Sequence, residues 1–205
     1  MHLVYLDPYH LGDPLFLTQL ARDLSHRAGG AVLVHGSGEA GERALEATGA
    51  LARQRDGVWE VQSPEEAAIV ERATRELNRQ IVHELNEVGV PAIRVMGGDR
   101  GLLKQEGEAI AVGSVQWIQD LVAQGVVGVL AALVDADTDA LAEVDAVAAV
   151  GALATAIEGA QVVLLETGSS DARKARDAEL VERLTQANVD ATLVRRGDLR
   201  SISAG

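Results

Sequence analysis

Cysteine is absent from the 205-residue chain, which excludes a disulfide framework, a thiolate metal site and a cysteine nucleophile. Lysine is almost absent too. Of the 18 basic residues only Lys104 and Lys174 are lysines, and the others are arginines. Enzymes that move phosphoryl groups need cations at the phosphate, so the shortage bears directly on chemistry. Aromatic residues make up 2% of the chain, so its core must be packed from the Ala, Val, Leu and Ile that dominate a 47% hydrophobic content. No run of about 18 apolar residues occurs, and no basic stretch leads into an apolar one at the N-terminus. A soluble, cytoplasmic protein with no membrane partner is the expectation. The net charge of −13 repels polyanions at long range, so nucleic acid is not an expected partner.

What is present alternates between strand and helix patterns. Val4-Tyr5-Leu6 reads as a strand, and Phe16, Leu17, Leu20 and Leu24 recur at helical spacing before Gly29-Gly30. The apolar run 31–35 passes through the turn Gly36-Ser37-Gly38 into a helix expected over 39–53. Trp59 and Val61 read as a short extended piece. Ser63-Pro64-Glu65-Glu66 opens a long helix to about Glu87, with Ser at the cap and Glu three residues on. Ala92 to Val95 is a strand closed by Gly97-Gly98-Asp99-Arg100-Gly101, and 102–112 reads as a hairpin around Gly107. A helix follows over 115–122. The apolar run 126–134 reads as one strand buried on both faces. Then come a helix over 141–157, a strand over 162–165, a helix over 172–187 and a strand over 191–194. This alternation predicts an α/β fold, a three-layer αβα sandwich around a mainly parallel, doubly wound sheet, in one domain over 1–205.

Candidate sites follow from local chemistry. A glycine turn that opens a helix lets backbone approach a ligand and offers free N–H groups to an anion, which makes Gly36, Ser37 and Gly38 candidates. The same glycines also answer a purely steric demand, and both readings stand at this point. His35 is expected to pack in the turn, and Trp59 and Trp117 are expected to be core. Asp135, Asp137, Asp139, Glu143 and Asp145 form an acidic series without the turn glycine of a calcium loop, so a solvated face is expected and no metal site.

The order of these segments resembles the amino acid kinase family, in its acetylglutamate kinase and acetylaminoadipate kinase branch. Val34-His35-Gly36-Ser37-Gly38 is similar to the family's Val-His-Gly-Gly-Gly turn, and Glu76 to Val82 to its Asn-Lys-x-Leu-Val helix. Gly89-Val90-Pro91-Ala92-Ile93 with Gly97-Gly98-Asp99-Arg100-Gly101 resembles the family's next strand and glycine loop. Val144 to Ala154 falls where the family has Val-Asn-Ala-Asp-x-Ala-Ala-x-Ala-Leu-Ala, and Val162 to Glu166 matches the strand after it. The resemblance implies phosphoryl acceptance on backbone amides at Gly36, Ser37 and Gly38. It implies further ligand contacts from Asn78 at a pocket rim, Gly97, Gly98 and Asp145, and it makes oligomers usual.

The departures fall on the charged groups. The family's Lys-x-Gly-Gly turn has no counterpart between Val4 and Leu11, which hold neither lysine nor glycine. The arginine that grips a substrate carboxylate aligns with the Val61-Gln62-Ser63 segment. The organising aspartate becomes Val147, and the asparagine before it becomes Asp145. The nucleotide-binding end, about 160–205, is shortened. Two readings follow. The first is a non-catalytic protein that binds a small anionic metabolite or serves as a regulatory or partner subunit, as a homo-oligomer or beside an active kinase. The second is a working kinase using ATP and Mg on the carboxylate of an N-acyl amino acid, with Arg94, Arg100 or Lys174 recruited as cations.

Overall fold

The structure is a computed structural model describing residues 1–13, 15–26, 30–55, 57–107, 109–135, 141–195 and 198–199. Strand β1 (His2–Tyr5) leads into a one-turn helix α1 (Pro8–Leu11) and then α2 (Phe16–Ser25). Next come β2 (Ala31–His35), α3 (Gly38–Glu46), the short strands β3 (Gln54–Arg55) and β4 (Val58–Trp59), and the long helix α4 (Pro64–Glu87). Strand β5 (Ala92–Met96) precedes a hairpin of β6 (Leu103–Glu106) and β7 (Ala109–Val112), then α5 (Gln116–Ala123) and β8 (Val127–Ala131). The chain continues through β9 (Leu133–Asp135), β10 (Leu141–Glu143), α6 (Ala146–Ala156), β11 (Gln161–Leu165), α7 (Asp171–Gln186) and β12 (Ala191–Val194).

Six strands form one sheet in the order β12-β11-β1-β2-β8-β5, and every pairing in it is parallel. Strands buried on both faces explain the unbroken apolar runs Ala31 to Val34 and Val162 to Leu165. Alternate residues of β1 and β2 divide between two cores. Leu3, Tyr5, Val32 and Val34 pack with Ile118 of α5, Val150 and Leu153 of α6 and Leu184 of α7. Val4, Leu6 and Leu33 pack with Leu20 of α2 and Ile81 and Leu85 of α4. Helices therefore cover both faces, as the alternation of segments implied.

Three expected segments come out differently. The run 126–134 breaks at Ala132, whose N–H donates to the His35 carbonyl at 2.8 Å. Beyond it the chain leaves the main sheet and pairs with β10 as an antiparallel ribbon, Leu133 opposite Glu143. The helix expected over 141–157 begins only after Asp145, whose carboxylate accepts the Val147 N–H at 2.9 Å, so 141–143 are free to be strand. The helix expected over 39–53 stops at Glu46, because Gly49 turns to φ 83° and the Thr48 hydroxyl donates to the Leu45 carbonyl. The start of α4 follows the expected capping chemistry: the Ser63 hydroxyl accepts the Glu66 N–H, and the Glu66 carboxylate accepts the Gln62 N–H. Gly29, Asp137 and Asp139 lie outside the described residues.

Candidate functional site

The carboxyl ends of β1, β2, β8 and β11 converge, and the candidate residues gather there. Gly36, Ser37 and Gly38 link β2 to α3. Gly38 takes φ 53°, a conformation that disfavours a side chain, and a Cβ on it would stand 3.3 Å from Pro8. At Gly36 a Cβ would fall 2.8 Å from a Glu143 carboxylate oxygen. That contact reveals what fills the turn. Glu143, at the end of β10, accepts the Ser37 N–H on one oxygen and the Ser37 hydroxyl on the other at 3.0 Å, and also accepts the Trp59 N–H. Burial pushes its carboxyl up to about 7, with those hydrogen bonds pulling the other way. Trp59 closes the turn from outside, its indole N–H donating to the Gly38 carbonyl at 3.2 Å.

His35 and Asn78 lie beneath the turn. His35 is fully buried and its Nδ1–H donates to the Gly36 carbonyl at 2.8 Å, which leaves Nε2 to accept from the Asn78 amide at 3.0 Å. Burial holds the imidazole down at about 4, so it is neutral. Asn78 also donates to the Val129 carbonyl at 2.8 Å. It is fully buried between α4 and β8 rather than at a pocket rim, where its amide supplies the donor that buried His35 Nε2 needs. Gly97 and Gly98 stand apart from the turn. Their N–H groups donate to the carbonyls of Ala131 and Leu133, and a Cβ on Gly97 would strike the Leu133 carbonyl at 2.7 Å. Close passage of the β9 backbone accounts for Gly97, while a Cβ on Gly98 would press on Asp135 at 3.2 Å.

Asp7 follows β1, in the segment where the resemblance calls for lysine. It is almost fully buried, accepts the Tyr9 N–H at 2.8 Å and pairs with Arg176 of α7 at 2.8 Å. Asp145 caps α6 and pairs with Arg183, two turns further along α7. Burial raises both carboxyls above their usual range, and the arginines oppose it. Between them Tyr5 is buried, and its phenol is pushed upward by burial first and then by Asp7. Arg94 lies exposed on the edge strand β5, and Arg100 stacks on Trp117 at 5.2 Å. Among the described residues no group of three His, Asp or Glu side chains could hold a metal.

Beside Asp7 opens a cleft of about 1060 Å³ at the carboxyl ends of β11 and β12. Arg173, Lys174 and Arg195 line it together with Asp13, Glu166, Asp177 and Glu182 and the loop Thr167-Gly168-Ser169. Asp177 fixes that loop, its carboxylate accepting both the Thr167 N–H and the Thr167 hydroxyl. Arg173 lies 4.2 Å over the Tyr9 ring, and the His10 ring donates to the Glu166 carbonyl at 3.1 Å. Of these cleft residues the sequence reading singled out Lys174 alone. Arg176 and Arg183 are not picked out by the sequence reading, and the signal that could find them is a seven-residue spacing that puts both on one face of α7.

Parallel sheet, helices on both faces and a glycine turn at the carboxyl end of a central strand together define a doubly wound α/β protein. No family model matches the chain. It is 31% identical over 202 residues to acetylglutamate kinase of Chloroflexus aurantiacus, strains J-10-fl and Y-400-fl, covering 92% of this chain and 78% of each relative. Isopentenyl phosphate kinase has the same fold, with a TM-score of 0.69, 14% identity and coverage of 98% of this chain and 94% of that one. N-acetylglutamate synthase from Neisseria gonorrhoeae matches with a TM-score of 0.70 at 14% identity over 96% of this chain and 54% of its own. The chain belongs to the amino acid kinase family, as an acetylglutamate kinase-like member. No helix among the described residues is long and apolar enough to cross a membrane.

Proposed function

We propose that this chain binds a small anionic metabolite on the kinase scaffold without transferring a phosphoryl group. The observation that carries the reading is the state of the charges at the sheet's carboxyl edge. The segment Val4 to Leu11, where the resemblance calls for a phosphate-bridging lysine, holds none, and Asp7 within it and Asp145 engage Arg176 and Arg183 in ion pairs. Phosphoryl transfer depends on cations aimed at developing charge, and losing one such clamp costs on the order of 10³-fold. In the adjoining cleft Arg173, Lys174 and Arg195 stand among the carboxylates of Asp13, Glu166, Asp177 and Glu182, and a phosphate or carboxylate would bind there by displacing those carboxylates from the cations. Binding is retained in this reading and transfer is lost.

A working kinase is the second reading, and Arg176 and Arg183 support it. Two guanidinium groups on one face of α7 would serve as phosphate clamps if a ligand drew them from their aspartates. Thermal unfolding against Mg-ATP, ADP, acetylglutamate and phosphate, paired with an assay for ADP release, separates the two. Ligand at about 100 times its dissociation constant stabilises the native state by roughly 2.7 kcal/mol, a rise of roughly 5–10 °C for a chain of this size. Stabilisation without ADP release fits the proposal, and release with acetylglutamate overturns it. No shift with any ligand moves the role to a regulatory or partner subunit.

A further inference from the structure

Asp23 is a carboxylate almost without water and almost without partners. It lies on the buried face of α2, 5% exposed, and accepts one hydrogen bond among the described residues, from the Gln19 amide nitrogen at 3.1 Å. No ion pair among the described residues includes it. We propose that the cavity beside Asp23 is a binding site for a small organic cation, an ammonium or guanidinium group on a short alkyl chain. Such a cation would occupy its cavity whether or not the α7 cleft holds a metabolite.

The cavity measures about 230 Å³ and opens between α2, the end of β11 and Leu199. Gln19 and Asp23, one helical turn apart, form its polar wall. Phe16, Leu20, Leu165 and Leu199, all buried, form the apolar remainder. The volume exceeds the ~30 Å³ share of one water several-fold, so it admits a short alkyl chain. Phe16 stacks on His10 at 4.8 Å, which fixes the apolar wall in place.

Charge decides the class of ligand. A buried carboxylate is costly unless a cation and N–H donors compensate it, and a bound ammonium or guanidinium supplies both. Asp13 is the second carboxylate on the lining, and no arginine, lysine or histidine stands among the described residues there. An anion would meet only repulsion. Asp13 also lines the α7 cleft, so the two sites adjoin while differing in sign. At the rim Leu15 is 77% exposed, a large apolar side chain that covers nothing of the chain itself. It is placed to cover the alkyl part of a ligand whose charged end reaches Asp23.

The test is calorimetric titration of n-butylammonium, n-butylguanidinium and neutral n-butanol into the wild type, Asp23→Asn and Leu15→Ser, in an amine-free buffer at pH 7.5. Salt at about 0.15 M screens the net charge of −13, so a general attraction for cations does not register. At least one of the cations is expected to bind the wild type at one site per chain, and the tighter one identifies the head group. Butanol is expected not to bind. Asp23→Asn keeps the side-chain shape and an acceptor for Gln19, and should weaken the cation at least about 10-fold. Leu15→Ser should weaken it about 3-fold by uncovering the alkyl chain. No cation binding to the wild type, binding that Asp23→Asn leaves unchanged, or butanol binding as tight as the cations overturns the proposal. Should Asp23→Asn fail to fold, butylammonium added to the wild type must move the Gln19 side-chain amide resonances, and their failure to move overturns it as well.

Discussion

Replacing Glu143 by Gln should change how the protein's stability responds to pH, and the size of that change follows from two buried groups. The Glu143 carboxyl is carried from 4.5 to about 7 by burial, so the native state holds a proton that the unfolded chain releases. Stability from this group is present below pH 4.5 and is lost as pH rises to 7, by about 3 kcal/mol at 1.36 kcal/mol per pH unit. His35 is carried the opposite way, from 6.5 to about 4. Its contribution is present above pH 6.5 and is lost as pH falls to 4, again by about 3 kcal/mol. Between pH 4.5 and 6.5 the two slopes cancel in the wild type. Glu143→Gln keeps the side-chain shape and an acceptor for the Ser37 N–H but removes the titration. The His35 slope then stands uncovered, at about 1.2 kcal/mol per pH unit near pH 5.5. Urea unfolding of both proteins between pH 4.5 and 7.5 measures it, and the difference curve removes every group common to the two. A difference that stays constant across this range would refute the assignment of Glu143 as a buried, uncompensated carboxyl.

Further expectations concern single contacts. Asn78→Ala leaves His35 Nε2 buried without a donor and opens a cavity, so it should destabilise by about 2–4 kcal/mol in denaturant melts. Gly36→Ala forces Glu143 from the turn at about 1–2 kcal/mol, and in a Glu143→Ala background that penalty should vanish. A double-mutant cycle reads the coupling. Arg176→Ala strands the buried Asp7 carboxylate, and because Arg176 itself is half exposed the loss should be roughly 2 kcal/mol rather than the larger value of a fully buried pair. Lys174→Ala with Arg195→Ala should abolish any Mg-ATP-dependent rise in melting temperature while leaving the ligand-free melting temperature within about 2 °C.

Much of the architecture was legible because doubly buried strands and capped helices write themselves into local sequence. Ala31 to His35, Ala92 to Val95 and the Ser63 capping box are examples. The run 126–134 misled because apolar continuity cannot show a bend at Ala132 that depends on the His35 carbonyl, almost a hundred residues away. The strand 141–143 reads as helix in sequence because Leu141, Ala142 and Glu143 suit one, although Asp145 signals the true cap. The turn itself could be found from Gly36, Ser37 and Gly38. What occupies it could not, since Glu143 lies 106 residues from Ser37 and its neighbours suggested only an acidic surface. Asp7 and Arg176, 169 residues apart, are likewise joined only by the order β11-β1-β2 of the folded sheet.

The measurement that tests the account most directly follows the γ-phosphate of Mg-ATP by phosphorus NMR in the presence of this protein and acetylglutamate, with thermal unfolding of the same sample. The account predicts a raised melting temperature and an ATP signal that decays no faster than in buffer. Protein-dependent conversion of ATP to ADP with formation of an acyl phosphate would contradict it.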